Sequence, residues 1–219
     1  MKRIFIYFGL PMAVLLSMGC QKEAGQRTSF STPQEAANKA KNDLLTVLRS
    51  RKDIVLGLEQ QTIEKSQPAV PVRQYQITFE DLAAADSFTA LRKNDLAIVV
   101  PLVADGAVAT VVGLAKDEAG WKVASVGDKS LASELEVVRK AAGAQAEIAI
   151  YDLPHSGEKL YAAIPPATAG GGTILYTNYT GFNLREPVSA ERLLPVLKQD
   201  AAEFQRKYSE ELKRQRVVR

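Results

Sequence analysis

Apolar positions along this chain recur with two different periods, and the points where the period changes divide it into elements. Between residues 33 and 50, Ala37, Ala40, Leu44, Val47 and Leu48 form one stripe at helical spacing, while Lys39, Lys41, Asp43 and Arg49 leave it. That is the pattern of a helix with one face on a core. Thr32-Pro33-Gln34-Glu35 marks its start, with a hydroxyl N-cap, proline at the first helical position and a glutamate placed for a capping box. Residues 54–63 and 72–79 carry alternating and β-branched side chains and predict strands on either side of a Pro-containing loop over 67–71. Leu82, Ala85, Phe88 and Leu91 recur every three residues and predict a short helix.

Residues 96–126 read as a three-stranded antiparallel meander. An apolar run to Val103 meets an Asp105-Gly106 turn, a second run spans 108–114, and a turn over 117–120 leads into 121–126. Pro101 lacks a backbone donor, so its strand is expected at an edge or with a bulge. Helical period returns over 130–142 through Leu131, Leu135 and Val138 and stops at Gly143. Residues 147–151 and 159–164 predict a hairpin, 165–172 a loop and 173–179 a strand. A long helix then extends from Ser189 towards Arg216, with Pro195 bending or delaying it. The order of elements predicts an α+β fold, an antiparallel sheet packed by helices. The folded body occupies 32–219, and if it divides into subdomains the boundary falls near 127–145.

The N-terminus has a different pattern. Lys2 and Arg3 precede an uncharged apolar run over 4–16, broken by Gly9 and Pro11, and small residues follow at Gly19-Cys20. The run is shorter than the roughly 17–25 residues of a membrane-spanning helix and has the layout of a cleaved export signal. Residues 21–31 are polar and small apart from Phe30 and suit a flexible tether. Cys20 is the only cysteine, so no intramolecular disulfide can form.

The segment Leu16-Ser17-Met18-Gly19-Cys20 resembles the lipobox of bacterial lipoproteins, in which the cysteine receives a diacylglyceryl group before the signal is cut. It departs from the usual pattern by carrying Leu16 four positions before the cysteine and Ser17 where leucine is favoured. The resemblance implies a signal peptide over 1–19, cleavage between Gly19 and Cys20, and a lipidated tether over 20–31. It also implies residence in the cell envelope. Gln21 replaces the aspartate that often marks inner-membrane retention, which points to the outer membrane. From Thr32 to Val126, the capped helix followed by strands and a Gly120-Trp121-Lys122-Val123 closing strand resembles cystatin-like and NTF2-like modules, whose members bind ligands or proteins.

Composition adds limits. The 219 residues are 46% hydrophobic and 24% charged, excluding collagen-like, disordered and polytopic membrane classes. The 28 basic residues exceed the 25 acidic ones, but Lys2 and Arg3 leave with the signal, so the body is nearly neutral and nucleic acid is not an expected partner.

Candidate chemistry is sparse. His155 is the only histidine, which excludes a His-rich metal centre, and no cofactor motif is present. Asp152, His155 and Ser156 lie close in sequence and are the least implausible reactive set for an envelope hydrolase, but they sit on a predicted turn. Ser156 and Lys159 match Ser-x-x-Lys without its companion motifs. Gly170-Gly171-Gly172 leads into a strand rather than a helix, unlike a phosphate loop. Trp121 reads as a sheet-packing residue. Tyr176, Tyr179 and Phe182 form an aromatic cluster that is either core or a recognition surface. Arg214, Arg216 and Arg219 give the last helix a basic end that complements its dipole or meets an anionic envelope polymer. The expectation is a non-enzymatic module anchored to the membrane through lipid on Cys20, binding an envelope protein or small ligand. A hydrolase and a structural envelope component are the alternatives.

Overall fold

The computed structural model describes residues 29–51, 57–91, 94–143, 145–165 and 172–216. Helix α1 (Pro33–Ser50) has both halves of its capping box, with Thr32 accepting from the Glu35 amide and the Glu35 carboxylate accepting from the Thr32 amide. Residues 52–56 lie outside the described residues, and the strand expected over 54–63 gives way to a short helix, α2 (Gln60–Lys65). Packing explains the difference, since Ile63 is 1% exposed against Leu44 and Leu45 of α1. Lys41 of α1 donates to the backbone carbonyls of Glu64 and Ser66 at the end of α2, satisfying acceptors that a helix C-terminus leaves open.

A two-residue strand, β1 (Gln67–Pro68), and β2 (Val72–Gln76) follow. The Thr78 hydroxyl ends the extended stretch by capping α3 (Phe79–Ala84) through the Asp81 amide at 3.0 Å. A 3₁₀ turn spans Phe88–Ala90. The expected stripe of Leu82, Ala85, Phe88 and Leu91 is buried, although two short elements carry it instead of one helix.

The meander consists of β3 (Asn94–Ala104), β4 (Ala107–Asp117) and β5 (Gly120–Val126). Asp105 and Gly106 both have positive φ, as a two-residue type I′ turn requires. Helix α4 (Lys129–Ala142) then leads to β6 (Glu147–Asp152), β7 (Lys159–Ile164), β8 (Ile174–Thr177) and α5 (Ala190–Arg216). Pro195 lies inside α5, and the non-helical backbone is at Tyr208 instead.

The eight strands form one sheet in the order β5-β4-β3-β2-β6-β7-β8, with β1 also paired to β3. All pairs are antiparallel except β2–β6 at the centre. The fold is therefore α+β, with one parallel seam joining two antiparallel halves.

Of the two expectations for the Pro101 strand, an edge or a bulge, β3 takes the second, since it is interior and its ladder with β4 is irregular beside Pro101. The missing donor of Pro101 is accommodated where the partner changes from β1 to β2, and its carbonyl accepts from Ala69 at 2.8 Å. The β3–β4 register shifts immediately afterwards, between Leu102 and Val103. Near that irregularity the Val108 amide donates to Glu136 of α4 at 2.9 Å.

Register fixes the layers. Leu114, Ile98, Arg73, Ala149, Ala162 and Leu175 lie in one row across β4, β3, β2, β6, β7 and β8. The first two pack with α1, and the last three with α3 and α5. These helices thus cover opposite ends of one sheet face. Helix α4 covers the other face through Leu131, Leu135 and Val138, packed on Val99, Ile150 and Tyr161. No helix among the described residues is long and apolar enough to cross a membrane.

Leu135 is 0% exposed. Leu135→Ala should lower stability by about 2–5 kcal/mol, whereas Thr32→Ala, which removes only a cap, should cost about 1 kcal/mol. Urea unfolding midpoints should rank the two variants in that order, and equal losses would contradict α4 as the principal cover of its face.

Candidate functional site

Two polar chains brace the sheet. On the α4 face the Tyr161 hydroxyl donates to Glu134, which also accepts from Asn178 at 3.0 Å. Burial is the main cause that pushes the Tyr161 phenol far above its ordinary pKa, reinforced by the Glu134 bond. On the opposite face, the Tyr179 hydroxyl donates to Asp200 of α5 at 2.7 Å and lies 2.8 Å from His155 Nε2. The single hydroxyl proton is directed at Asp200, so Nε2 is the donor in the His155–Tyr179 bond. His155 Nδ1 is buried without a hydrogen-bond partner. A second proton there would be buried and unpaired, and burial accordingly lowers the His155 pKa, partly opposed by Asp200 and Glu158.

The structure separates the sequence-adjacent reactive set. Asp152 accepts from Gln74 at 2.7 Å and pairs with Lys159 at 2.8 Å. His155 faces Tyr179, and the Ser156 hydroxyl accepts from the Glu158 amide at 3.3 Å. The Asp152 pairing also occupies the Lys159 of the Ser-x-x-Lys match. Of the glycine run, Gly170 and Gly171 lie outside the described residues and Gly172 is exposed.

Of the two readings of the aromatic cluster, core packing is the one that Tyr176 and Tyr179 adopt. Tyr176 is 3% exposed and packs beneath α4, whereas Tyr179 is 5% exposed and packs towards α5. Phe182 is half-buried against the α5-side core. The reason is that β8 is covered on both faces, and the returning chain pairs Val188 with Leu175. Arg214 and Arg216 lie in the last turns of α5, while Gly19, Cys20 and Arg219 lie outside the described residues.

The surface that sequence reading missed lies between the helices. In the row from Leu114 to Leu175, Arg73 of the central strand is exposed. Its guanidinium bonds to Tyr75 and lies near Asp95 and Glu147; these raise its pKa, the Tyr75 hydrogen bond being the largest cause. Tyr75 stacks on Tyr151 with centroids 5.2 Å apart, and Phe88 meets Tyr151 edge-on at 5.2 Å. Arg73 borders two cavities. One, of about 330 Å³, is lined by Asp95, Leu96, Ile98, Lys116 and Trp121; the other, of about 170 Å³, lies over Ala149 and Ala162 beside Phe88. Together they make a trough across the middle of the sheet. Arg73 and Tyr75 stand in an ordinary alternating strand, and only the register places Tyr75 against the α3–α5 cluster and leaves Arg73 exposed beside it. Trp121 packs its inner side on the α1 cluster, as the sequence suggests, but also forms one end of this trough.

No protein-family model, curated protein or solved structure matches this chain.

The His155 chain makes a signed pH prediction. The folded pKa lies below the unfolded value of 6.5, so the unfolded state binds more protons as pH falls through about 6.5. Stability should decline from pH 7.5 to 5.5, and His155→Gln should flatten that part of the curve, because no other side chain has an ordinary pKa in this window. Tyr179→Phe should cost about 1–3 kcal/mol at pH 7.5 by leaving Asp200 and His155 without their shared partner. Thermal melts across this range check both, and an unaltered slope in the His155 variant would contradict the assignment.

Proposed function

We propose that this chain is a lipid-anchored protein of the bacterial cell envelope whose α+β body is a non-enzymatic binding module. The observation that carries the reading is the Leu16–Cys20 segment, a lipobox-like sequence after a short apolar run that ends at the only cysteine of the chain. Lipid on Cys20 holds the body at the outer membrane. Each buried methylene contributes about 0.8 kcal/mol, and two or three acyl chains suffice for a stable anchor where one does not.

Support for binding over hydrolysis comes from the separate engagement of Asp152, His155 and Ser156, each in a local structural contact. Support for a working surface comes from the uncovered trough at Arg73, where aromatic and charged groups converge on a concave part of the sheet.

Fractionation of the native host tests the anchor. The wild-type chain should sediment with membranes, and Cys20→Ala should shift most of it to the soluble fraction. Retention of the variant on membranes to the same extent would contradict lipid anchoring.

A further inference from the structure

We infer that the fork where β3 and β4 part is a docking slot for an extended segment of a partner protein, an assignment that rests on the binding-module reading and names the partner's form. Pairing between these two strands ends at Ile98 with Leu114. Beyond that point Asn94, Asp95 and Ala97 of β3 pair only with β2, and Ala115, Lys116 and Asp117 of β4 pair only with β5. Among the described residues, neither stretch has a partner strand on the side that faces the other. A cavity of about 330 Å³ lies there, with Asp95, Leu96, Ala97 and Ile98 on one wall and Lys116 and Trp121 on the other.

Two bulges accompany the parting and supply its cause. Leu96 is an extra residue in β3, because Gln74 and Tyr75 of β2 lie opposite Ala97 and Asp95. Ala124 is an extra residue in β5, because Gly113 and Leu114 of β4 lie opposite Ser125 and Val123. A bulged strand bends and gains twist, and both bulges adjoin the point where the β3–β4 ladder stops.

The chemistry of the fork is that of backbone. Successive residues of a strand direct their N–H and C=O groups to opposite sides, so each wall offers donors and acceptors to the gap from alternate residues. An extended segment between the walls pairs with both, antiparallel to one and parallel to the other. Leu96, 46% exposed, forms with Ile98 and the Trp121 ring a bed for one apolar side chain of that segment. Around the trough Arg73 and Lys116 are balanced by Asp95 and Glu147, so the site selects no net charge and reads the main chain instead.

A segment held between two walls must have both of its own edges free. The outer strands of a second copy do not meet that condition, since β5 is already paired with β4 and β8 with β7. The chain's own N-terminal segment starts on the wrong side, because Phe30 pairs with Trp121 along the outer edge of β5. A lipid chain leaves both walls unpaired, and a polyanion gains nothing from balanced charge.

The probe is a mixture of acetylated, amidated hexapeptides that begin with Lys, end with Glu and carry Val, Thr, Ile or Tyr in random order between, all of them strand formers. The full-length chain in detergent micelles is incubated with the mixture, and the retained peptides are sequenced and titrated singly. A retained peptide should bind saturably and shift the emission of Trp121, the only tryptophan. It should slow amide exchange within 94–97 and within 115–117 together, leaving 123–126 and 174–177 unchanged. N-methylation at either of two successive inner residues should weaken binding roughly tenfold, because each removes a donor to a different wall.

No retained peptide overturns the ligand class. Protection of the outer edges of β5 or β8, or of one wall alone, overturns the slot, as does binding that loses affinity only at every second N-methyl position, the mark of one-sided pairing. Protection of both walls before any peptide is added means that the chain itself or a second copy fills the fork, and overturns a partner segment. These failures leave a lipidated Cys20 untouched, whereas an unmodified Cys20 in the native host removes the envelope reading without altering the titration.

Discussion

The parallel pairing of β2 with β6 is the constraint on which this molecule depends. Arg73, Gln74, Tyr75 and Gln76 lie beside Ala149, Ile150, Tyr151 and Asp152, and without that seam the strands form two separate antiparallel sets. Parallel neighbours need a crossover connection. Here β3, β4, β5 and α4 provide it, and α4 spans the two halves by packing on Val99 and Val111 from one and Ile150 and Tyr161 from the other. The seam therefore determines where α4 must lie. It also leaves the opposite face to α1 at one end and to α3 and α5 at the other, with Arg73 of the central strand exposed between them. The trough at Arg73 follows from that division.

Polar contacts hold this arrangement in place at points where apolar packing alone would leave buried groups unsatisfied. Tyr161 and Asn178 converge on Glu134, tying β7 and the segment after β8 to α4. Tyr179 joins the β6–β7 turn to α5 through His155 and Asp200. The exposed ends of the sheet are treated differently. Phe30 exchanges two backbone hydrogen bonds with Trp121 on β5, and Gly120 permits the approach, since a Cβ there would lie 2.6 Å from the Phe30 carbonyl oxygen. At the other end Val188 pairs with Leu175 of β8. Each device limits the run of free backbone that an edge strand presents.

Elements with local signatures were legible in the sequence. The Thr32–Glu35 box, the Asp105-Gly106 turn and the helical stripe ending at Gly143 each depend on residues within a few positions of one another, and the structure has α1, the β3–β5 meander and α4 where they indicate. Features decided by distant partners were not legible. Ile63 reads as strand in isolation, but burial against Leu44 and Leu45 places it in α2. Pro101 reads as a mark of an edge or a bulge, and only the change of partner strand and the register shift beside it decide for an interior, irregular position. Tyr176 and Tyr179 are aromatic residues three positions apart whose fate depends on helices that cover both sides of β8. Arg73 carries no local sign of its exposure, because that depends on how far α1, α3 and α5 extend over its face of the sheet.

The β2–β6 seam is tested most directly by native-state amide hydrogen exchange on the full-length chain. A single cooperative body predicts that the hydrogen-bonded amides of 73–76 and 149–152 exchange only through global opening, with the same free energy as the core of the β3–β4 pair. Exchange of β6, β7 and β8 together at a distinctly lower free energy, while β3 and β4 stay protected, would show two independent units and contradict the seam.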